Sequence, residues 1–141
     1  MEGIALAMAG QHQVANASLA IMASLLLQKD YPKVTPELIK DALAHASWLG
    51  RTEFLMPNLM IDGAHNNESV KVLIDLLRSE YADKDIELLF AAIDTKPIDS
   101  MLAQLESVGD LTVTSFEYPN SVKLDKYPVT YKQVSDFQTS D

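Results

Sequence analysis

No cysteine occurs in this 141-residue chain. That removes disulfides and thiolate metal sites at once, and it is compatible with a reducing compartment. With only three histidines as well, no metal cluster can be assembled convincingly from the sequence. Positive charge is also scarce. Eleven Lys and Arg stand against 20 Asp and Glu, a net charge of -9, and the acids are spread along the chain. Such a surface argues against nucleic acid or an anionic membrane as partner, and any phosphate must be held by a few local cations. The phosphate loop G-x-x-x-x-G-K-[ST] and the dinucleotide fingerprint G-x-G-x-x-G are both missing. No Ser–His–Asp or paired-carboxylate arrangement stands out. Met1-Glu2-Gly3 is not the basic start of a secretory signal. The apolar run from Val14 to Leu27 is broken by Asn16, Ser18 and Ser24, and it is shorter than the ~20 residues a membrane span needs. The chain reads as soluble and cytoplasmic.

What is present is enough apolar material, 48% of residues, for one ordinary core. His12 to Leu27 reads as a helix with Val14, Ala17, Ile21 and Leu25 on one face. Leu19, Met22, Ala23 and Leu26 cover much of the rest, so this helix should be buried on several sides. So short a chain has little else to bury it with, which suggests a piece of a larger protein. Thr35-Pro36-Glu37 is a helix start, with a capping hydroxyl, proline in the first helical position and an acid in the first turn. That helix runs to about His45 or Ala46. Phe54 to Met56 forms a short strand and Pro57-Asn58 a turn.

From Leu59 the pattern alternates strand and helix. Leu59 to Asp62 is a strand. Glu68 to Tyr81 is a helix with Val70, Leu73, Ile74 and Leu77 inward. The continuous apolar run Ile86 to Ile93 suits a strand covered on both faces. Ile98 to Glu106 is a helix with Met101, Leu102 and Leu105 inward, and Leu111 to Ser115 is a further strand. Single helices between strands imply a parallel sheet with right-handed crossovers. The expected fold class is therefore α/β, a Rossmann-like mostly parallel sheet flanked by helices. Residues 118–128 read as loop and Tyr131 to Gln138 as a short helix, with no closing strand beyond.

The stretch Leu59-Met60-Ile61-Asp62-Gly63-Ala64-His65-Asn66-Asn67 organises the rest. Strand ends of this kind are where α/β proteins place ligands. Asp62 is an acceptor-only group suited to a ribose hydroxyl pair. His65 offers a ring N–H or a positive charge to a phosphate oxygen. Asn66 or Asn67 can cap the next helix, whose first amides favour an anion. A strand, a turn and an Asx-capped helix explain Asp62, Gly63 and Asn66 but leave His65 without a role. Arg51 with Glu53 is either a solvated pair of little energetic weight or a guanidinium fork on phosphate oxygens. Asn16, one turn into the first helix, either faces solvent or presents a donor and an acceptor to an adenine edge. Asp94-Thr95-Lys96 lies beyond a buried strand and suits a ligand equally with an ordinary polar loop. His45 and Trp48 read as structural, the latter as a packing indole.

Three ordered elements, His12-Gln13 with Asn16-Ala17, then Trp48-Leu49-Gly50-Arg51-Thr52-Glu53, then Asp62-Gly63-Ala64-His65-Asn66, resemble the folylpolyglutamate synthase / dihydrofolate synthase family of the Mur ligase superfamily. The resemblance runs from about Gly10 to at least Thr114. It implies an ATP-dependent ligase that activates a folate carboxylate as an acyl phosphate, which the amine of L-glutamate then attacks. It implies terminal helices of an otherwise absent ATPase domain over 1–47, an interdomain linker over 48–57 and a carboxyl-terminal Rossmann-like domain over 58–141. The phosphate loop and the Mg2+ ligands would lie in the absent amino-terminal part, against which this portion would pack. Carried over by position, Asn16 contacts the adenine side of ATP, Arg51 its phosphates, and Asp62 the nucleotide near the ribose, while His65 reaches toward phosphate as the catalytic candidate. The family often has Asp-Lys-Asp where this chain has Asp94-Thr95-Lys96, so that loop inherits no role. The usual late Gly-Ser-Leu-Tyr strand is absent. Two other readings stand beside this one: a Mur-type ligase adding an amino acid to a UDP-sugar peptide, and a free-standing α/β module that binds a small ligand.

Overall fold

In the computed structural model, which describes residues 3–135, the chain divides after Gly63 into two units. The first begins with α1 (Gln11–Leu27) and α2 (Pro36–His45). Helix α2 starts as its sequence dictates: the Thr35 hydroxyl accepts from the Leu38 amide at 3.2 Å and Pro36 occupies the first turn. Such a cap contributes about 1 kcal/mol. The two helices pack together, with Ala17 and Ile39 buried and the Gln28 side chain donating to the Val34 carbonyl across the connecting loop. Helix α1 departs from expectation. Only Gln13 and Ala17 on it are buried, while Leu19, Met22 and Leu26 are 67%, 61% and 79% exposed. Its apolar girdle exists, but α2 alone is too small to cover it.

The unit ends in a hairpin of β1 (Glu53–Met56) and β2 (Leu59–Ile61). They pair antiparallel, Glu53 opposite Ile61 and Phe54 opposite Met60, with an irregularity between Phe54 and Met56. This corrects the expectation that Leu59 to Asp62 joins a parallel sheet. Two residues, Pro57 and Asn58, can only reverse the chain, whereas a parallel neighbour needs a long crossover. The turn preceding the hairpin is conformationally demanding. Gly50 has φ 69° and Thr52 φ 45°. A β-branched residue in the left-handed region is strained, and the Thr52 hydroxyl oxygen is buried with no hydrogen-bond partner among the described residues.

The second unit is the α/β layer. It comprises α3 (Asn67–Glu80), β3 (Glu87–Phe90), α4 (Ile98–Leu105), β4 (Asp110–Thr114), a 3-10 turn at Leu124–Lys126 and β5 (Lys132–Val134). The sheet is parallel, ordered β3-β4-β5, with Leu88 opposite Leu111, Phe90 opposite Val113 and Val113 opposite Gln133. Helix α4 is the crossover from β3 to β4. The core joins Val70 and Ile74 of α3, Met101, Leu102 and Leu105 of α4, and Phe90 and Val113 of the sheet. On α3 it is Leu76, rather than the expected Leu73, that is fully buried. Burial along β3 alternates, and Leu89 is 48% exposed, so this strand is covered on one face here and not on both.

The carboxyl-terminal part differs most from expectation. Lys132–Val134 is a strand and not part of a helix, and it is tied to β4 further by the Thr114 hydroxyl donating to the Val134 carbonyl at 2.8 Å; residues 136–138 of the expected helix lie outside the described residues. Val122 and Tyr127, in the stretch read as loop, are core residues. The Tyr127 ring meets Phe90 edge-on at 6.3 Å, and its hydroxyl accepts from the Ala92 amide at 3.2 Å. Ala92 in turn accepts from the Val122 amide. The segment after β3 is thereby clasped by residues about thirty positions downstream. Burial raises the Tyr127 pKa, partly offset by the Ala92 bond.

Three outcomes follow from this packing. A Cβ at Gly109 would lie 2.3 Å from the Ile86 carbonyl oxygen, so Gly109→Ala should destabilise the second unit by about 2 kcal/mol in urea unfolding. Thr52→Gly removes both the strained φ and the orphaned hydroxyl; despite the entropy cost of glycine it should raise stability by about 1 kcal/mol. The Tyr131 hydroxyl bonds the Glu106 carboxylate, and that bond, burial and the nearby charge of Glu106 and Asp99 raise its pKa to about 12. A raised folded-state pKa contributes stability that is complete below the ordinary tyrosine value and lost as pH climbs through the folded one. Between pH 10 and 12, Tyr131→Phe should flatten the alkaline decline in stability and delete a late-titrating phenol from the ultraviolet titration.

Candidate functional site

In the first unit, two of the motif segments are stitched together by main-chain chemistry. The Gly63 amide donates to the Gly50 carbonyl at 2.6 Å. The Thr52 amide donates to the Asp62 carboxylate at 2.8 Å. The Gly50 amide donates to the Glu53 carboxylate at 2.7 Å, and the Arg51 amide to the Trp48 carbonyl at 3.1 Å. Each bond has a cause in the sequence. Gly50 supplies the positive φ that lets residues 48–53 turn back. Gly63 supplies room: a Cβ there would sit 3.2 Å from the Gly50 oxygen. The hairpin supplies the reversal that returns Asp62 to the turn. Arg51 and Asp62 are thus brought to one locus, with Arg51 exposed and Asp62 half-buried.

Glu53 is engaged with the Gly50 backbone and makes no ion pair with Arg51 among the described residues. A carboxylate that closes the turn leaves the exposed guanidinium beside it for other work. Charge-assisted bonds to backbone amides, as at Asp62 and Glu53, are also stronger than neutral ones, so the turn is held firmly despite its strained residue.

His65 opens the second unit and is exposed. Asn66, extended at φ −150° and ψ 171°, caps α3: its side chain accepts from the Ser69 amide at 2.8 Å. The Ser69 hydroxyl answers by accepting from the Asn66 amide at 3.1 Å and also from the His65 amide at 3.0 Å. Several amides at this helix end are therefore already committed, and Glu68 adds a carboxylate to the first turn. An anion arriving here would rely on the imidazole more than on the helix terminus.

Asn16 lies on the exposed face of α1, and its side-chain N–H donates to the Gln13 carboxamide at 3.1 Å. That bond fixes which way the Asn16 amide points. His45 bonds the Asp41 carbonyl through Nδ1 at 2.8 Å, a structural helix-end contact as expected. Trp48 is 72% exposed, so it is not the packing indole that its composition suggested; only its carbonyl holds the turn. At Asp94-Thr95-Lys96, the Asp94 amide donates to Asn120 at 2.8 Å, part of the clasp behind β3.

Sequence reasoning missed Thr52 and Ser69. Thr52 acts through a backbone amide, which no residue type announces. Ser69 was legible as the third helical residue after an asparagine cap, the capping-box spacing, though with serine in place of the usual Glu or Gln.

Taken unit by unit, the first holds an exposed guanidinium, an anchored carboxylate and an exposed carboxamide, and the second an exposed imidazole. Among the described residues no group of three or more His, Cys, Asp or Glu could hold a metal ion. No helix among them is long and apolar enough to cross a membrane.

No family model matches the chain. It is 32% identical over 124 residues to the dihydrofolate synthase/folylpolyglutamate synthase of Bacillus subtilis, covering 85% of this chain and 29% of that protein. The fold is similar to that of Mycobacterium tuberculosis folylpolyglutamate synthase, solved with ADP and AMPPCP, at a TM-score of 0.79, 23% identity, and coverage of 94% of this chain and 32% of that one. It is similar also to the bifunctional folylpolyglutamate synthase/dihydrofolate synthase of Yersinia pestis, solved with AMPPNP and a manganese ion, at a TM-score of 0.62, 26% identity, and coverage of 72% and 26%. The chain spans about a third of the length of the proteins that it matches. By sequence over most of its residues and by fold over nearly all of them, it belongs to the folylpolyglutamate synthase/dihydrofolate synthase family, as a counterpart of part of those proteins.

Proposed function

We propose that this chain supplies nucleotide-binding residues to an ATP-dependent ligase that joins L-glutamate to a folate. The observation that supports this most is the Thr52 amide bond to Asp62, which sets a carboxylate beside the Arg51 turn. In this reading Arg51 engages the phosphates with its planar fork. Asp62 accepts from the ribose hydroxyls, its orientation fixed in advance by Thr52. Asn16 meets the adenine edge, and His65 donates to phosphate. A folate carboxylate takes the terminal phosphoryl group of ATP to give an acyl phosphate and ADP. The glutamate amine then attacks the acyl carbon, phosphate leaves and an amide forms. Arg51 and His65 oppose the charge on the transferring group, the usual protein contribution to phosphoryl transfer.

Residues 1–47 serve in this reading as terminal helices of an ATPase domain, 48–57 as linker and 58–141 as the Rossmann-like ligase domain. The bare apolar surface of α1 supports packing against the remainder of that ATPase domain. Mg2+ would be held there, by residues outside this chain, consistent with the manganese found in the Yersinia pestis relative.

Steady-state ligation by the full-length protein tests the proposal. Asp62→Asn keeps an acceptor for the Thr52 amide but loses the charge, so the turn should survive. Arg51→Ala and Asp62→Asn should each weaken kcat/KM for ATP by about 10- to 100-fold, with circular dichroism melting curves little changed. Two fully active variants would sink the proposal.

A further inference from the structure

We infer that Ser69 is a positioning residue for His65; the inference rests on the ligase role proposed above for that imidazole. Ser69 Oγ accepts from two successive amides, His65 at 3.0 Å and Asn66 at 3.1 Å, and donates to the Asn66 carbonyl at 3.0 Å. Its one proton and both lone pairs are thereby used. The Asn66 amide bond belongs to a capping box, and helix capping explains it fully. The His65 bond is different. His65 stands outside α3, one residue before the cap, and its amide is not among those a helix start leaves orphaned. That bond immobilises the peptide plane on which the imidazole is carried.

The anchor is itself braced. Asn67, the first residue of α3, accepts through Oδ1 from the Ser100 hydroxyl and from the Gln104 amide at 3.1 Å, both on α4. The start of α3 is thus tied to a neighbouring helix whose Met101, Leu102 and Leu105 are buried in the core. Chemistry also favours serine here over the longer acids common at this position. Glu68 already places one carboxylate in the first turn, and a second would repel phosphate at the imidazole. A hydroxyl performs the same capping without charge.

The test compares Ser69→Ala, Ser69→Cys and Ser69→Thr with His65→Ala, and with the double variant Ser69→Ala/His65→Ala, in the full-length protein. Amide hydrogen exchange should quicken about 10-fold at His65 and Asn66 in the Ala variant and not across the core. Its kcat/KM for ATP should fall about 10-fold, as for other residues that orient a functional group. Ser69→Cys, similar in shape but a weaker acceptor, should lose activity to a lesser degree, and Ser69→Thr should recover most of it. The double variant should be no slower than His65→Ala alone, whereas a general loss of folded protein would multiply with it. Full activity of Ser69→Ala and Ser69→Cys beside an inactive His65→Ala overturns the positioning role and leaves the ligase reading standing. Multiplying losses in the double variant overturn it in the same way. Full activity of His65→Ala overturns the positioning role together with the phosphate role proposed for His65.

Discussion

The meeting of Arg51 and Asp62 depends on a carboxylate accepting a backbone N–H. Asp62 and Thr52 are ten positions apart, and the bond between them, with its companion from Gly63 to Gly50, converts a strained turn and a hairpin end into one rigid junction. Without it, Arg51 and Asp62 would be neighbours only by chance of the hairpin's twist. A charged acceptor is well chosen. It offsets the strain at Thr52 more than a neutral group would, and in the role proposed for Asp62 it pre-sets the direction of the side chain, which lowers the ordering cost of binding. The same logic operates in the second unit, where one hydroxyl holds the backbone that carries His65. Both devices use short polar side chains on main-chain atoms, which fix geometry without a large core.

The α/β layer shows how a thin sheet is sealed. With β4 central, the βαβ crossover through α4 covers one face from the local side. The passage from β4 to β5 has no α-helix. Residues 116–131 do that work with Val122, Tyr127 and a single 3-10 turn. Tyr127 contributes twice, as ring area against Phe90 and as an acceptor for the otherwise unpaired Ala92 amide. An aromatic with a polar tip is the economical choice where an irregular segment must be both greasy and hydrogen-bonded.

How much of this could be read from the residues varies by element. The helices were legible because their signals are local: Thr35-Pro36-Glu37 begins α2, and the inward stripe Met101, Leu102, Leu105 marks α4. The strands β3 and β4 were legible from apolar runs between breaks. The parallel α/β class followed from their alternation with helices, and the likeness to solved synthases agrees with it. What failed was non-local. Strand β5 carries Lys132 and Gln133, no strand signature, and it exists because β4 offers it an edge. Val122 and Tyr127 are buried because of partners about thirty residues upstream, which no window can see. Leu59 to Asp62 was read as a strand of the parallel sheet; the strand is there over Leu59–Ile61 but pairs antiparallel, since periodicity is silent on pairing. The motifs at Arg51 and Asp62 were visible as residue types. That they meet through the Thr52 amide was not, because a main-chain donor has no letter of its own.

The contact between Gly63 and Gly50 has a bearing on how such a site tolerates drift. It is written entirely in peptide atoms, so surrounding side chains can be exchanged over long spans of descent without erasing it. Substitution libraries would register it at two places only, for unlike reasons. At position 63 an added methyl crowds the Gly50 oxygen, and at position 50 there is open space but a backbone angle that other residues resist. A scan that scored only side-chain contacts would pass over the joint that holds the rest in register.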